Sequence, residues 1–457
     1  MPPPTPAAGP PPALLPVRPP LSRTARTIRL IGPLVALAVA LLVFGAVNRG
    51  SSASTPDRAR FGRVPFVPPQ ADTDTRIAGL QAQIRAGGSS SAYADLGSAY
   101  LQKVRENGDA TFYPRAQEAF RLAARREPGN LAAVVGQGTL ALARHDFREA
   151  LRLGRRARRL APEAAGPFPV LVDALVELGR YPEAEKALQE LVDRKPGLPA
   201  YARISYFREL HGDLPGALAA MDLAVSAGSA TPEGLAYVRS LQGTIELNRG
   251  RLSRAAAAYR AALRAEPAFA PAQAGLARVD AARGRLGAAI VRLRRVVDRL
   301  PLPEYVVALG ETELAVGRTA EGREDLDLVR AERRLLAANG VNTDVELALF
   351  EADHGDPRAG VTLGRRAWAA APSVRSADAV GWSLTRAGRP VEGFAWARRA
   401  LRLGWREPLV LYHAGMSARA AGKRGAARRL LGRLQRQAPR FSPLYGPRAR
   451  RALESVQ

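Results

Sequence analysis

Proline recurs in this chain at a fixed interval. Pro128, Pro162 and Pro196 stand 34 residues apart, as do Pro267 and Pro301, and the gaps from 196 to 267, 301 to 372 and 372 to 439 are close to twice that spacing. Proline lacks a backbone donor and disfavours the α region for the residue before it, so each one stops a helix. A period between 20 and 50 residues points to one supersecondary unit stacked many times, each leaning its apolar face on the next. Nine intervals separate Pro128 from Pro439, which makes ten units.

Two further positions keep the period. A small residue stands at Gly97, Gly138, Val172, Ser205, Gly243, Ala277, Gly310, Ala348, Gly381 and Gly415, with Val172 the one bulky member. A second follows at Ala116, Ala150, Ala184, Ala217, Ala255, Ala289, Gly322, Gly360, Gly393 and Ala427, twelve places on in every unit but the first. The first unit carries an insertion around KVRENGDATFYP. A glycine usually falls five places before the second small residue, as at Gly179, Gly212 and Gly250. Small side chains let two antiparallel helices cross closely, and the glycine ends the first helix in the left-handed region. Apolar residues four and seven places beyond the second small site, such as Tyr259 with Ala262, form the buried stripe of the second helix.

This joint spacing resembles the tetratricopeptide repeat, a 34-residue helix-turn-helix with small residues at its eighth and twentieth positions and proline at its thirty-second. Residues 242–267 (QGTIELNRGRLSRAAAAYRAALRAEP) match it best. The chain departs from the pattern in places. The aromatic at the fourth position survives as Tyr93, Phe168 and Tyr201, the tyrosine at the eleventh as Tyr100, and the units around Ala331–Thr343 are degenerate. The resemblance implies an all-α, right-handed superhelical solenoid of about ten repeats over residues 76–446, with a C-terminal helical extension over 447–457. It also implies a concave wall made by the first helix of each pair. The family's groove positions fall here on Asp173, Glu177, Tyr206, Glu209, Tyr237, Asn248, Glu304, Glu311, Asp353, Asp378, Trp382 and Tyr412, beside Arg278, Arg375, Arg386 and Arg419. Such an acidic, aromatic-studded wall suits an extended or helical peptide bearing basic and apolar residues. No lysine occupies a groove position, so the family's clamp for chaperone C-termini is not expected.

The net charge of +26 tells a different story from the groove, because many arginines sit on the second helices, as at Arg152, Arg155, Arg156, Arg158 and Arg159. Only Lys103, Lys186, Lys195 and Lys423 are lysines, a skew that suits a high-GC genome as well as a functional basic surface. Long-range attraction to polyanions follows from the charge. Nucleic acid is nonetheless disfavoured, because the Arg-rich faces lack interleaved aromatics for base stacking. With no cysteine, thiol chemistry, disulfides and Cys-ligated metals are excluded. His145, His211 and His354 sit at or beside helix turns in separate units, which on a solenoid places them far apart, without a shared metal or base–nucleophile pair. No P-loop, zinc-protease or nucleophile-elbow motif is present.

Before the repeats the composition changes. Ten prolines in the first twenty residues predict a disordered, Pro-rich tail over 1–29. Residues 30–48 (LIGPLVALAVALLVFGAVN) carry no charge and at about 1.5 Å per residue would cover the hydrocarbon core of a bilayer, so a single transmembrane helix is expected there. The rival is a signal peptide cleaved near Ser51-Ser52-Ala53, after which the protein is secreted. Arg23, Arg26 and Arg29 cluster close before the span and only Arg49 close after it, favouring a cytoplasmic N-terminus and an extracytoplasmic repeat domain. Residues 49–75 read as a flexible linker.

The whole reads as a non-catalytic, membrane-anchored scaffold that needs no cofactor and binds protein or peptide partners in a concave groove. The resemblance is to a bacterial, envelope-assembly type of member. The alternative is a basic module that binds anionic polymers, such as cell-wall glycan or lipid headgroups, through the Arg-rich second helices.

Overall fold

The structure, a computed structural model, describes residues 72–228 and 231–457. The expected tail, membrane span and nearly all of the linker lie outside the described residues. Among the described residues no helix is long and apolar enough to cross a membrane.

The described residues form twenty-two helices and no strand, the all-α repeat solenoid expected from the spacing. A first helix, α1 (Thr73–Arg85), precedes ten hairpins. Five of these are α2 (Ser90–Asn107) with α3 (Phe112–Arg126), α4 (Leu131–Ala143) with α5 (Phe147–Leu160), α6 (Pro167–Glu177) with α7 (Tyr181–Arg194), α8 (Leu198–Leu210) with α9 (Leu214–Ser226), and α10 (Pro232–Asn248) with α11 (Leu252–Ala265). Then come α12 (Ala270–Ala282) with α13 (Leu286–Arg299), α14 (Pro303–Ala315) with α15 (Thr319–Ala338), α16 (Asp344–His354) with α17 (Pro357–Ala370), α18 (Val374–Arg386) with α19 (Pro390–Ala400), and α20 (Pro408–Ala420) with α21 (Arg424–Gln437). A last helix, α22 (Tyr445–Glu454), follows the array.

The period-setting prolines do what their chemistry requires. Each stands two residues beyond a helix end, and the residue between is extended, as at Glu127 (φ −146°, ψ 93°) and Ala371 (φ −147°, ψ 92°). The small residues mark the crossings inside each hairpin. A Cβ on Gly310 would lie 2.9 Å from the carbonyl oxygen of Gly322, and one on Gly322 would lie 2.8 Å from that of Gly310. The second-helix stripe is buried throughout, from Phe120 and Ala123 to Leu431 and Leu434. Each large member contributes about 1.5–3 kcal/mol by leaving water. Phe168, expected as a surviving family aromatic, is fully buried with the Arg158 and Arg194 guanidiniums 5.3 and 4.8 Å from its ring centre.

The superhelix completes a turn and lands on itself. Tyr181 Oη accepts from the Val374 amide at 2.9 Å, across 193 residues of sequence. Gln437 Nε2 donates to the Asn248 carbonyl at 2.8 Å across 189, and His145 Nδ1 meets the Asn342 carbonyl at 2.6 Å across 197. A carbonyl only accepts, so Nδ1 carries the proton. One superhelical turn therefore takes between five and six 34-residue units. The departures from regular spacing serve this closure. The insertion in the first unit lengthens α2 and ends it at Gly108 (φ 71°), where a Cβ would meet Leu300 and Leu302 of the next turn. The degenerate stretch lengthens α15 to 20 residues and delivers Asn342, whose amide donates to the Arg144 carbonyl at 2.9 Å.

Gly179 is constrained twice: its φ is +69°, and a Cβ there would lie 2.3 Å from the Pro372 carbonyl of the second turn. Gly284 shares the left-handed backbone (φ +81°) but has nothing within 4 Å. Gly284→Ala should cost about 1–2 kcal/mol from backbone strain alone. Gly179→Ala should cost about 1–3 kcal/mol more, because the added methyl must push the turns apart. Urea unfolding of the two variants measures the difference; equal losses would mean that the turns do not touch.

Candidate functional site

Closure converts the concave side into an interior. Between the two superhelical turns lies a cavity of about 670 Å³, walled by α2, α10 and α12 from the first turn and by α14, α15, α16, α20 and α22 from the second. Four of the sequence-predicted groove residues line it: Asn248, Glu304, Glu311 and Asp353, with Arg278 beside them.

The other eight sit in the surrounding wall, where most link neighbouring first helices. Asp173 takes a bidentate pair from Arg203 at 2.8 and 2.5 Å, both side chains buried. Tyr206 Oη donates to Glu177 at 3.1 Å, and Trp382 Nε1 donates to Asp353 at 3.1 Å. Asp378 holds His413 Nδ1 at 2.9 Å. These partners are separated by 29 to 35 residues, about one repeat, so equivalent positions in successive units staple one first helix to the next. Tyr412 packs between Trp382 and Tyr445 with the rings tilted, their centres 5.7 and 5.2 Å away. Tyr237 is buried, and Glu209 is half-buried. Of the arginines expected nearby, Arg375 lies 3.8 Å from Glu346, Arg386 donates to the Ala352 carbonyl and Arg419 to Ser455.

Of the three turn histidines, His145 and His354 contribute to the cavity lining and His211 does not. His413 lines the same cavity. The physical reason is the superhelical pitch, which brings back units that the sequence separates by nearly two hundred residues. His354 Nε2 meets Glu311 at 2.9 Å, and Tyr445 Oη donates to the same oxygen at 2.9 Å. Among the described residues no cluster of His, Asp and Glu has the geometry to hold a metal ion.

Several lining residues lie outside the positions that the spacing covers. Glu407 precedes α20 and Glu233 opens the long α10, both N-terminal to the groove register. Arg105 belongs to the extension of α2, and Arg333 to that of α15. The insertion and the degenerate stretch were the signals that could have found the two arginines.

Burial dominates the electrostatics. It pushes Glu304, Asp353 and Glu407 above the usual carboxylate range, against the pull of nearby cationic groups. It raises Glu233 to about 7, with Arg105 opposing. Elsewhere on the first helices, burial raises Asp173 to about 7 and, with Glu407 adding to it, Glu209 to about 8. Glu346 goes the other way: burial opposes ionisation, but His145, Arg333 and Arg375 together hold it below its ordinary value. Burial alone would lower His413, but the Asp378 carboxylate raises it.

A carboxyl whose folded pKa exceeds its unfolded value of about 4 stabilises the fold below pH 4 and loses that contribution as pH rises through the folded pKa. Asp173, Glu209 and Glu233 all titrate in this sense toward about 7 or 8. His413, raised by Asp378, acts in the same direction. The urea midpoint should therefore fall as pH rises from about 5.5 to 8.5. A midpoint that rises over that window would show these carboxyls to be ionised and well paired.

Comparison with known proteins agrees with the architecture. Residues 141–205 and 240–302 match tetratricopeptide repeat family models. No curated protein matches the chain. A thermophilic tetratricopeptide repeat protein of Thermus thermophilus is 24% identical over 39% of this chain and 92% of its own, with a TM-score of 0.35. A tetratricopeptide repeat protein of Parabacteroides merdae is 17% identical over 55% of this chain and 98% of its own, with a TM-score of 0.39. The human IFIT1 dimer with PPP-AAAA is 16% identical over 72% of this chain and 78% of its own, with a TM-score of 0.45.

Proposed function

We propose that the chain is a non-catalytic scaffold, anchored in the cell membrane by residues 30–48, that binds protein partners through its repeat array during envelope assembly. Tetratricopeptide repeats serve generally as protein-interaction scaffolds, and the two matched stretches lie within the array. The observation that carries the reading is the separation of charge: a chain of net charge +26 keeps an inner wall rich in carboxylates and aromatic rings. That wall favours a partner segment with basic and apolar side chains. The N-terminus faces the cytoplasm and the array stands outside the membrane.

One observation favours a second reading. On the outer surface Arg148, Arg152, Arg155, Arg159 and Arg180 rim a hollow completed by Pro372 of the second turn. Glu149 and Glu183 engage Arg152 and Arg180, but the surplus is cationic and would attract an anionic polymer.

Peptide arrays probed with the full-length protein in detergent separate the two. The scaffold reading predicts retention of peptides that combine Lys or Arg with apolar residues, with modest dependence on salt. Steeply salt-dependent binding of teichoic-type polymer, without peptide binding, would favour the second. For topology, protease added to intact spheroplasts should degrade the repeat array, whereas protection of the array would reverse the orientation.

A further inference from the structure

The cavity has a chemistry of its own, beyond the scaffold reading. Among the described residues its lining carries eight carboxylates against four arginines and no lysine, the reverse of the balance over the whole chain. Several of those carboxylates have neutral or titratable partners in place of guanidiniums. Glu311 is held by His354 and Tyr445, and Asp353 by Trp382. Burial keeps Asp353, Glu304 and Glu407 from ionising readily, against the pull of nearby cationic groups.

A second, independent observation concerns unpartnered polar atoms. Tyr305 is 4% exposed and His413 1% exposed, yet Tyr305 Oη and His413 Nε2, both on cavity-lining residues, have no hydrogen-bond partner among the described residues. Buried polar groups are rarely left unsatisfied, and both of these belong to residues that line one cavity. The remaining lining is apolar, including Phe269, Leu302, Phe350 and Leu409. A volume of about 670 Å³ lies within the range of small-molecule sites.

We propose that the inner cavity is a binding site for a small organic cation, a molecule with one or two protonated amino groups on a hydrocarbon frame. The ammonium group sits among Glu311, Asp353 and Glu407, and the hydrocarbon lies against the apolar lining. Because the walls come from both superhelical turns, the bound cation also fastens one turn to the other.

Isothermal titration of the full-length protein in detergent tests this, with 1,6-diaminohexane as the probe and hexanoate and 1-hexanol as controls of equal length. Saturable one-to-one binding of the diamine, at least about tenfold tighter than either control, is expected. Glu311→Gln combined with Asp353→Asn should weaken it by at least about tenfold. Ala308→Phe, which fills the cavity without removing a charge, should do the same. Circular dichroism verifies that each variant is folded; should neither fold, the comparison of diamine with the two controls on the unaltered protein decides. Absence of saturable diamine binding, equal affinity for hexanoate, or undiminished binding by both folded variants would overturn the proposal. Peptide binding is read separately on the arrays, so failure of either idea leaves the other standing.

Discussion

Where Gly310 meets Gly322, and again where Gly179 meets Pro372, two stretches of backbone approach as closely as packing allows. The first kind of contact sets the crossing of two helices within a hairpin, and ten such crossings set the curvature of the array. The second kind stops the superhelix from remaining open. The first needs small side chains at the crossing and recurs with the 34-residue period, and the second needs a glycine and recurs at Gly212 and Gly250. The cavity and the shifted carboxyl groups of its lining follow from the fact that the second turn rests on the first.

Closure separates two electrostatic environments. Outside, arginines of the second helices remain in water, where pairs such as Arg152 with Glu149 contribute little to stability. Inside, the same kinds of group are buried. Removing one partner from a pair such as Asp173 with Arg203 would strand a buried charge, which is far costlier than losing a surface pair. Among the described residues the outer arginine clusters are cationic, and the inner cavity has the opposite character. A solenoid in which the turns did not touch would leave the inner groups in water and erase that contrast.

Much of the architecture was legible because proline and glycine act through local sterics. Pro128 and Pro372 end helices for reasons contained in a few residues, and Tyr259 is buried because its position in the period places it there. The pitch of the superhelix was not legible. It is the sum of small rotations between hairpins, so nothing near His145 in sequence announces that it will meet Asn342. The candidate site divides along the same line. Glu304, Glu311, Asp353 and Asn248 were found because groove positions recur with the repeat, whereas Arg105 and Arg333 reach the cavity through segments that break it. The pairing of Asp173 with Arg203 was also hidden, since a list of groove positions treats each repeat separately and the contact joins two of them.

The claim on which the rest depends is that the two turns are in contact in solution. Arg148 and Ala369 are exposed, lie on different turns and touch, with Arg148 Nη2 donating to the Ala369 carbonyl at 2.6 Å. The native chain has no cysteine, so Arg148→Cys with Ala369→Cys gives two unique sites for spin labels. Pulsed electron-electron resonance on this variant should return a narrow, short distance, as for labels on helices packed about 8–10 Å apart. A broad distribution centred beyond about 30 Å, the length of a 20-residue helix, would show an open superhelix and contradict the account.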